Sequence, residues 1–219
     1  MSTLYEKRVS HDYYDEDYFE TGTMSGRSCY SYYRWMPEVT LRMAMAMIEY
    51  AGIDRSQKVL DFGCAKGFVV RAMRTLFRDT HGCDASAYAV RRCDPEVDRY
   101  VKLATETEPI PFDTEFDICM SKDVFEHIAY ADLPKILSAI AAKSRRLLTI
   151  VPLGDGQRYL IDAYEDDQSH IIREGVDWWL ESLKTAGFRN VKWDYHVMGI
   201  KDSWHRINPQ GNLVVLSER

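Results

Sequence analysis

The sequence predicts an α/β fold: a seven-stranded, mostly parallel sheet that ends in an antiparallel C-terminal hairpin, with helices on both faces. Three observations carry that expectation. Short apolar runs alternate with amphipathic helical segments from Lys58 onward, the pattern of parallel strands joined by crossover helices. The first run, KVLDFG, ends in glycine and is followed, after CAKG, by a helical segment, FVVRAMRTLF. The last two runs, RNVKWDYHV and GNLVVLSE, have no helical pattern between them and should pair antiparallel.

The elements follow in chain order. The stretch up to about Arg34 interleaves Tyr13, Tyr14, Tyr18 and Phe19 with acids, then adds Tyr30, Tyr32, Tyr33 and Trp35, and Gly22 and Gly26 break it. It reads as a flexible arm or lid with apolar anchors, so residues 1–36 form the arm and 37–219 a single domain. Pro37 opens a helix in its first turn, where a missing N–H costs nothing; Leu41, Met43, Met47 and Tyr50 give it an apolar side and Gly52 closes it. After KVLDFG and its helix, HGCD ends a second strand, ASAYAVRRC is a short helix, RYVKLA is the third strand and FDICMS the fourth. ADLPKILSAIAAKS is amphipathic, with Leu133, Ile136, Leu137 and Ile140 on one face. RLLTIVP is a fifth, wholly apolar strand. A polar loop from Leu153 to His170 then leads to a helix carrying Trp179 and Leu183, with Gly187 as its stop.

Composition narrows the function. Hydrophobic residues make up 46% and charged residues 28% of the 219, an ordinary globular balance. A net charge of -6 repels a phosphate backbone, so nucleic acid is not expected as a partner. The basic pairs Arg91–Arg92 and Arg145–Arg146 sit where an α/β fold puts solvated element ends. Cys29, Cys64, Cys83, Cys93 and Cys119 form no CxxC pair and no zinc spacing, and scattered thiols in odd number fit a reducing compartment. The N-terminus lacks the apolar core of a signal peptide, and no apolar run reaches membrane length. A soluble cytoplasmic protein is expected, as monomer or homodimer.

The chemistry concentrates at strand ends. Asp61-Phe62-Gly63-Cys64-Ala65-Lys66-Gly67 lies between the first strand and its helix, where glycines let the backbone turn sharply and approach a ligand. A dinucleotide pyrophosphate wants the GxGxxG spacing, which is missing, and this argues against a nicotinamide-dependent oxidoreductase. A ligand with a free ammonium group instead benefits from a carboxylate beside the loop, and Asp61 supplies one; a bare tight turn is the plainer reading. Asp84, 23 positions on (84 − 61), ends the second strand and either accepts ribose hydroxyls or caps the next helix, a task Ser86 does equally well. Glu106 precedes a proline-containing loop and the fourth strand, where an adenine amino group can be hydrogen-bonded. That strand ends in Ser121-Lys122-Asp123, with Glu126 and His127 just after it, facing the same crevice.

The segments DFGCAKG, GCD and PIPFDTEFDICMSKDVFEHI resemble the motifs of class I S-adenosylmethionine-dependent methyltransferases, particularly the group that methylates small molecules. The resemblance runs from about Val59 to Pro152, and more weakly through WWLESLKTAGF and the final hairpin. It implies a Rossmann-like fold with S-adenosylmethionine lying across the ends of the first, second and fourth strands. Asp61, Gly63, Cys64 and Ala65 would then surround the methionine part, Asp84 and Ala85 the ribose, and Glu106 and Thr107 the adenine, with Ser121 near the sulfonium. Arg34 of the arm would pair with the cofactor carboxylate. Two departures stand out: Ala65 replaces a common second glycine, and Glu106 stands where aspartate is commoner.

Methyl transfer from a sulfonium is an in-line displacement, so a hydroxyl or amine acceptor must be aligned and lose a proton. His127, His170 and Asp123 are the candidates for that task, against plainer readings of His127 as a packing or capping element and His170 as a helix cap. Asp166, Asp167 and His170 read as a solvated loop and not a metal site; no metal is expected. The expected acceptor is a small molecule methylated on O or N, with a sugar or sugar nucleotide in view. A protein or RNA methyltransferase and a non-catalytic cofactor-binding protein are the alternatives. The arm aromatics either form a lid that excludes water or pack on the sheet edge or a second subunit.

Overall fold

In the computed structural model residues 7–219 are described, and residues 1–6 of the expected arm lie outside them. Seven strands form one sheet: β1 (Lys58–Phe62), β2 (Asp79–Asp84), β3 (Val101–Leu103), β4 (Phe116–Lys122), β5 (Ser144–Pro152), β6 (Arg189–Asp194) and β7 (Asn212–Glu218). Their order across the sheet is β3-β2-β1-β4-β5-β7-β6. The first five run parallel, and β7 pairs antiparallel with both β5 and β6. The chain order reverses between β1 and β4, which opens a crevice at their carboxyl ends.

Side chains alternate across the strands and so build two cores. Leu60, Phe62, Cys119, Leu147, Val151, Leu213 and Val215 face one side, where α5 (Leu133–Lys143) and α6 (Val176–Thr185) cover them with Leu137, Ile140, Trp179 and Leu183. Val59, Ile118, Met120, Leu148, Ile150 and Val214 face the other, under α2 (Pro37–Ala51) and α3 (Phe68–Thr75). Helices therefore lie on both faces, as the pattern requires. The buried face of α2 runs through Thr40, Ala44, Met47 and Ala51, whereas Leu41, Met43 and Tyr50 pack only partly buried at its flank. On α5, Ile136 is likewise at the margin and Ala141 completes the buried face.

Three further expectations change. The helix after β1 ends at Thr75; Phe77 adopts φ 58 and stands exposed, while the N–H of Arg78 returns to the carbonyl of Met73 and closes the helix. A six-residue helix, α7 (Asp202–Ile207), lies between β6 and β7 where none was expected; it is too short to carry a parallel crossover, so the hairpin pairing stands. The loop from Leu153 to His170 is not simply polar and solvated. Tyr159, Ile161 and Tyr164 are buried in it: the Tyr164 ring stacks on Trp204 at 4.5 Å, and the Tyr159 hydroxyl donates to Ile172 O at 2.8 Å.

The arm folds back on itself around α1 (Gly22–Ser25), with Tyr33 N–H donating to Phe19 O at 3.0 Å and Tyr32 N–H to Glu20 O at 2.8 Å. Gly22 is required there, because a Cβ would sit 1.9 Å from Ser28 Oγ. Tyr18 and Phe19 are buried against Ala89, with Ala65 and Tyr88 packed around them. The arm thus sits on the loops after β1 and β2.

Candidate active site at the strand ends

The turn after β1 is shaped by backbone geometry. Gly63 has φ 79, and a Cβ there would lie 2.3 Å from Val124 Cγ2; Gly67 has φ 77 and starts α3. Ala65 takes φ 48, a left-handed conformation that costs a side-chain-bearing residue about 1 kcal/mol or more. The Asp84 carboxylate supports it, accepting from Ala65 N–H at 2.7 Å and from Ser86 N–H at 2.7 Å. The cap of α4 (Ala87–Arg91) is Ser86, whose hydroxyl accepts from Ala89 N–H, so Asp84 is free to hold the loop. Burial raises the Asp84 pKa and the two backbone donors oppose it.

Asp61 pairs with Gly82 in register and lies beside Asp84 at the strand ends. It is 5% exposed and its Oδ2 has no hydrogen-bond partner. Burial, reinforced by the neighbouring Asp84 charge, pushes its carboxyl up to about 7. A carboxylate held this way stabilises a cation placed next to it. On β4, Ser121 is buried with an unpartnered Oγ. Tyr33, whose phenol lies in the field of Asp61 and Asp84, closes the crevice from the arm side. Lys66 fastens it there, donating to Tyr33 O at 2.9 Å and to the Glu20 carboxylate.

Beyond β4 the polar groups converge again. Asp123, at φ 54, is bonded to Lys122 and, at 2.5 Å, to Lys201. Burial alone would raise Asp123, but the two lysine charges hold its carboxyl well below the usual range, which makes it a weak base. His127 Nδ1 lies 2.8 Å from Ser169 Oγ, and Ser169 donates to Asp167 Oδ1 at 2.6 Å, while Asp167 Oδ2 accepts from the Tyr18 hydroxyl at 2.8 Å. A hydrogen-bonded chain thus runs from the arm to His127. His170 Nδ1 lies 2.7 Å from Tyr164 O, and the two imidazole centroids are 4.6 Å apart. Burial keeps both rings neutral, lowering His127 and, with the neighbouring imidazole, taking His170 down to about 3.

The structure gathers Asp61, Gly63, Ala65, Asp84 and Ala85 at one end of the crevice and Asp123, His127 and His170 at the other, with Ser121 on the strand between. Cys64 is different: its side chain packs with Val70, Val97 and Val101, away from the crevice, leaving only its backbone to face a ligand. Glu106 and Thr107 stand exposed on a turn closed by Thr105 N–H to Glu108 O at 3.1 Å. Arg34 is exposed, with its guanidinium 5.5 Å from the Tyr32 ring centroid. Asp166 is exposed but Asp167 is buried and fully bonded, so this acidic pair is not a solvated cluster. Residues given no role in the sequence reading are Lys66, Lys201 and Ser169, while Glu126 was placed at the crevice without a role and Tyr33 only among the lid aromatics. Glu126 carried a local signal, as a charged residue inside the stretch Val124–Ile128.

A family model described as a methyltransferase domain matches residues 32–193. No curated protein matches the sequence. Among solved structures, an S-adenosylmethionine-dependent methyltransferase from Archaeoglobus fulgidus is similar with TM-score 0.63 and 16% identity, over 84% of this chain and 97% of that one. The methyltransferase in complex with the Trm112 activator of Haloferax volcanii is similar with TM-score 0.65 and 16% identity, over 84% and 91%. Phosphoethanolamine N-methyltransferase 2 of Haemonchus contortus is similar with TM-score 0.67 and 16% identity, over 96% of this chain and 60% of that one. At such identities the structural likeness speaks for the fold alone.

Proposed function

The chain belongs to the methyltransferase-domain family and is an S-adenosylmethionine-dependent methyltransferase, and from that premise we propose that it methylates an oxygen or nitrogen of a compact small molecule held between β4 and the loop after β5. The crevice suits the methyl donor on this structure's own terms. The orphaned Oδ2 of Asp61 is matched to an ammonium group, and the Gly63 turn keeps clear the space that a Cβ would fill. Asp84, bound to backbone N–H groups through both oxygens, keeps lone pairs for ribose hydroxyls. When bound, the donor supplies an electrophilic methyl group on a sulfonium. Tyr33 and Lys66 then act by closing the arm and excluding water.

The observation that carries the acceptor reading is the neighbouring pair His127 and His170, both neutral, with His170 buried beside Tyr159 and Tyr164 and His127 half-buried against Tyr14. A histidine pair set this far below the surface is reached by a compact molecule more readily than by a protein or RNA chain, and the net charge of -6 opposes RNA further. A sugar or sugar nucleotide belongs to the compact, hydroxyl-rich class. Asp123, locked between two lysines, orients and does not take a proton. The imidazole pair lies beside the acceptor atom, and loss of the acceptor proton depends on it. Acceptor screening by methyl transfer with wild type, His127→Ala and His170→Ala tests this. Removal of either imidazole should lower kcat by about 10²–10⁴-fold while S-adenosylhomocysteine still binds; turnover unchanged in both variants refutes the assignment.

A further inference from the structure

We propose that Glu126, His127 and His170 bind a divalent transition-metal ion at the acceptor end of the crevice. One potential ligand atom of each lies within 4.8 Å of those of the other two. Ligand atoms around a tetrahedral ion with bonds of about 2.1 Å stand about 3.4 Å apart, a contraction that side-chain rotation can supply. The set is assembled by the backbone: Glu126 O accepts from Ile171 N–H at 2.7 Å and Ile172 N–H at 3.0 Å, which brings the segment carrying His170 against the end of β4.

The hydrogen bonds fix both imidazoles in the ligand tautomer. Tyr164 O can only accept, so His170 Nδ1 carries the hydrogen. Ser169 gives its single hydroxyl hydrogen to Asp167, so Ser169 Oγ accepts from His127 Nδ1. Each ring is left with a lone pair on Nε2. A metal-binding histidine commonly donates its other N–H to a carbonyl or, as here through a serine, toward a carboxylate. Glu126 is the independent sign. It is 0% exposed and neither carboxylate oxygen has a hydrogen-bond partner, while the nearby Lys122 and Lys201 are bonded to Asp123. A buried carboxyl group with nothing to bind is a group whose partner is a ligand.

Two nitrogens and one carboxylate suit zinc, cobalt, iron or manganese better than magnesium or calcium, which favour oxygen alone. Three protein ligands leave coordination positions open. Resting on the reading of this histidine pair as the acceptor site, those positions hold an acceptor oxygen or a pair of adjacent hydroxyls. The site uses neither Asp166 nor Asp167.

The test is titration of chelator-stripped protein with Co²⁺, read by visible absorption and calorimetry, with S-adenosylhomocysteine binding measured on the same samples. One equivalent of Co²⁺ should bind, and Glu126→Gln and His170→Ala should each weaken it by about tenfold or more while S-adenosylhomocysteine still binds. His127→Ala serves as the third ligand removal if Glu126→Gln loses its fold. Wild-type protein that binds S-adenosylhomocysteine but none of Co²⁺, Zn²⁺ or Mn²⁺ overturns the metal site and leaves the methyl-transfer reading intact. Co²⁺ affinity unmoved by the substitutions overturns it equally. Co²⁺ bound through Glu126 without S-adenosylhomocysteine binding keeps the metal site and defeats the methyl-transfer reading.

Discussion

If Asp61 meets its ammonium as proposed, binding of S-adenosylhomocysteine should tighten as pH rises from 6 to 8, because that carboxyl is partly protonated at neutral pH. Asp61 is buried beside Asp84 and its carboxyl is pushed up to about 7. A cation beside Asp61 favours the ionised form, so the protonated fraction must lose its proton on binding. With a pKa of about 7, the ionised fraction is about 0.09 at pH 6 and about 0.9 at pH 8. The affinity should therefore rise about tenfold, or about 1.4 kcal/mol, across that interval. At pH 7 about half of the molecules carry the proton, so about 0.5 proton is released per ligand bound. Calorimetry in two buffers of different ionisation enthalpy reads that release directly, and titrations at pH 6, 7 and 8 read the slope. Asp61→Asn should bind far more weakly at pH 8 and lose most of the slope, which also subtracts any titration of the ligand. Equal wild-type affinity at pH 6 and 8, or an equal slope in Asp61→Asn, would refute the assignment of the ammonium to Asp61.

The same shift has a stability consequence. A carboxyl raised on folding contributes stability that is full below its unfolded pKa of about 4 and is lost as pH rises through about 7. Ligand-free Asp61→Asn should thus melt several degrees above wild type at pH 8, with an upper bound of about 4 kcal/mol, and the gap should close at pH 4; thermal melts at the two pH values check it. Gly63→Ala should cost about 1–3 kcal/mol, because a Cβ there meets Val124 and φ 79 disfavours alanine; urea unfolding showing no loss would contradict the turn geometry. Lys66→Met leaves Tyr33 O without its side-chain donor and Glu20 with only the Tyr88 hydroxyl, at a site 8% exposed, a loss of about 2 kcal/mol that raises arm opening about thirtyfold. Trypsin cleavage at Arg27 and Arg34 should accelerate to match, and an unchanged rate would mean that the arm is held elsewhere.

Among the described residues no helix is long and apolar enough to cross a membrane, in keeping with the absence of any such run in the sequence. Much of the architecture was legible because strand and helix periodicities are local. Leu60 and Phe62 against Val59 assign two faces to β1 before any partner is known, and the same alternation in β4 and β5 sorts residues between the two cores. Pro37 and Gly52 mark the ends of α2 by their own backbone preferences, φ being 58 at Gly52. The aspartates at the ends of β1 and β2 were legible for a related reason: parallel neighbours in register put Asp61 opposite Gly82 and so set Asp84 beside it.

The acceptor end was not legible in that way. Asp123, His127 and His170 could be singled out by residue type, yet their roles depend on what folds back over them. Lys201 comes from the connection between β6 and β7 to lock Asp123, and Ser169 and Asp167 come from the loop after β5 to fix the tautomer of His127. The same loop looked polar because its polar residues were read one by one, whereas Asp167 and Ser169 are buried by bonding to each other and to Tyr18. Sequence by itself determined the sheet, the helix faces and the pair of acids at the ends of β1 and β2, because those follow from spacing along the chain and from backbone register. Only the tertiary structure decided which carboxyls are paired, which are orphaned and which imidazole nitrogens are open, because those depend on burial and on partners more than forty residues away (His127 to Ser169, Asp123 to Lys201).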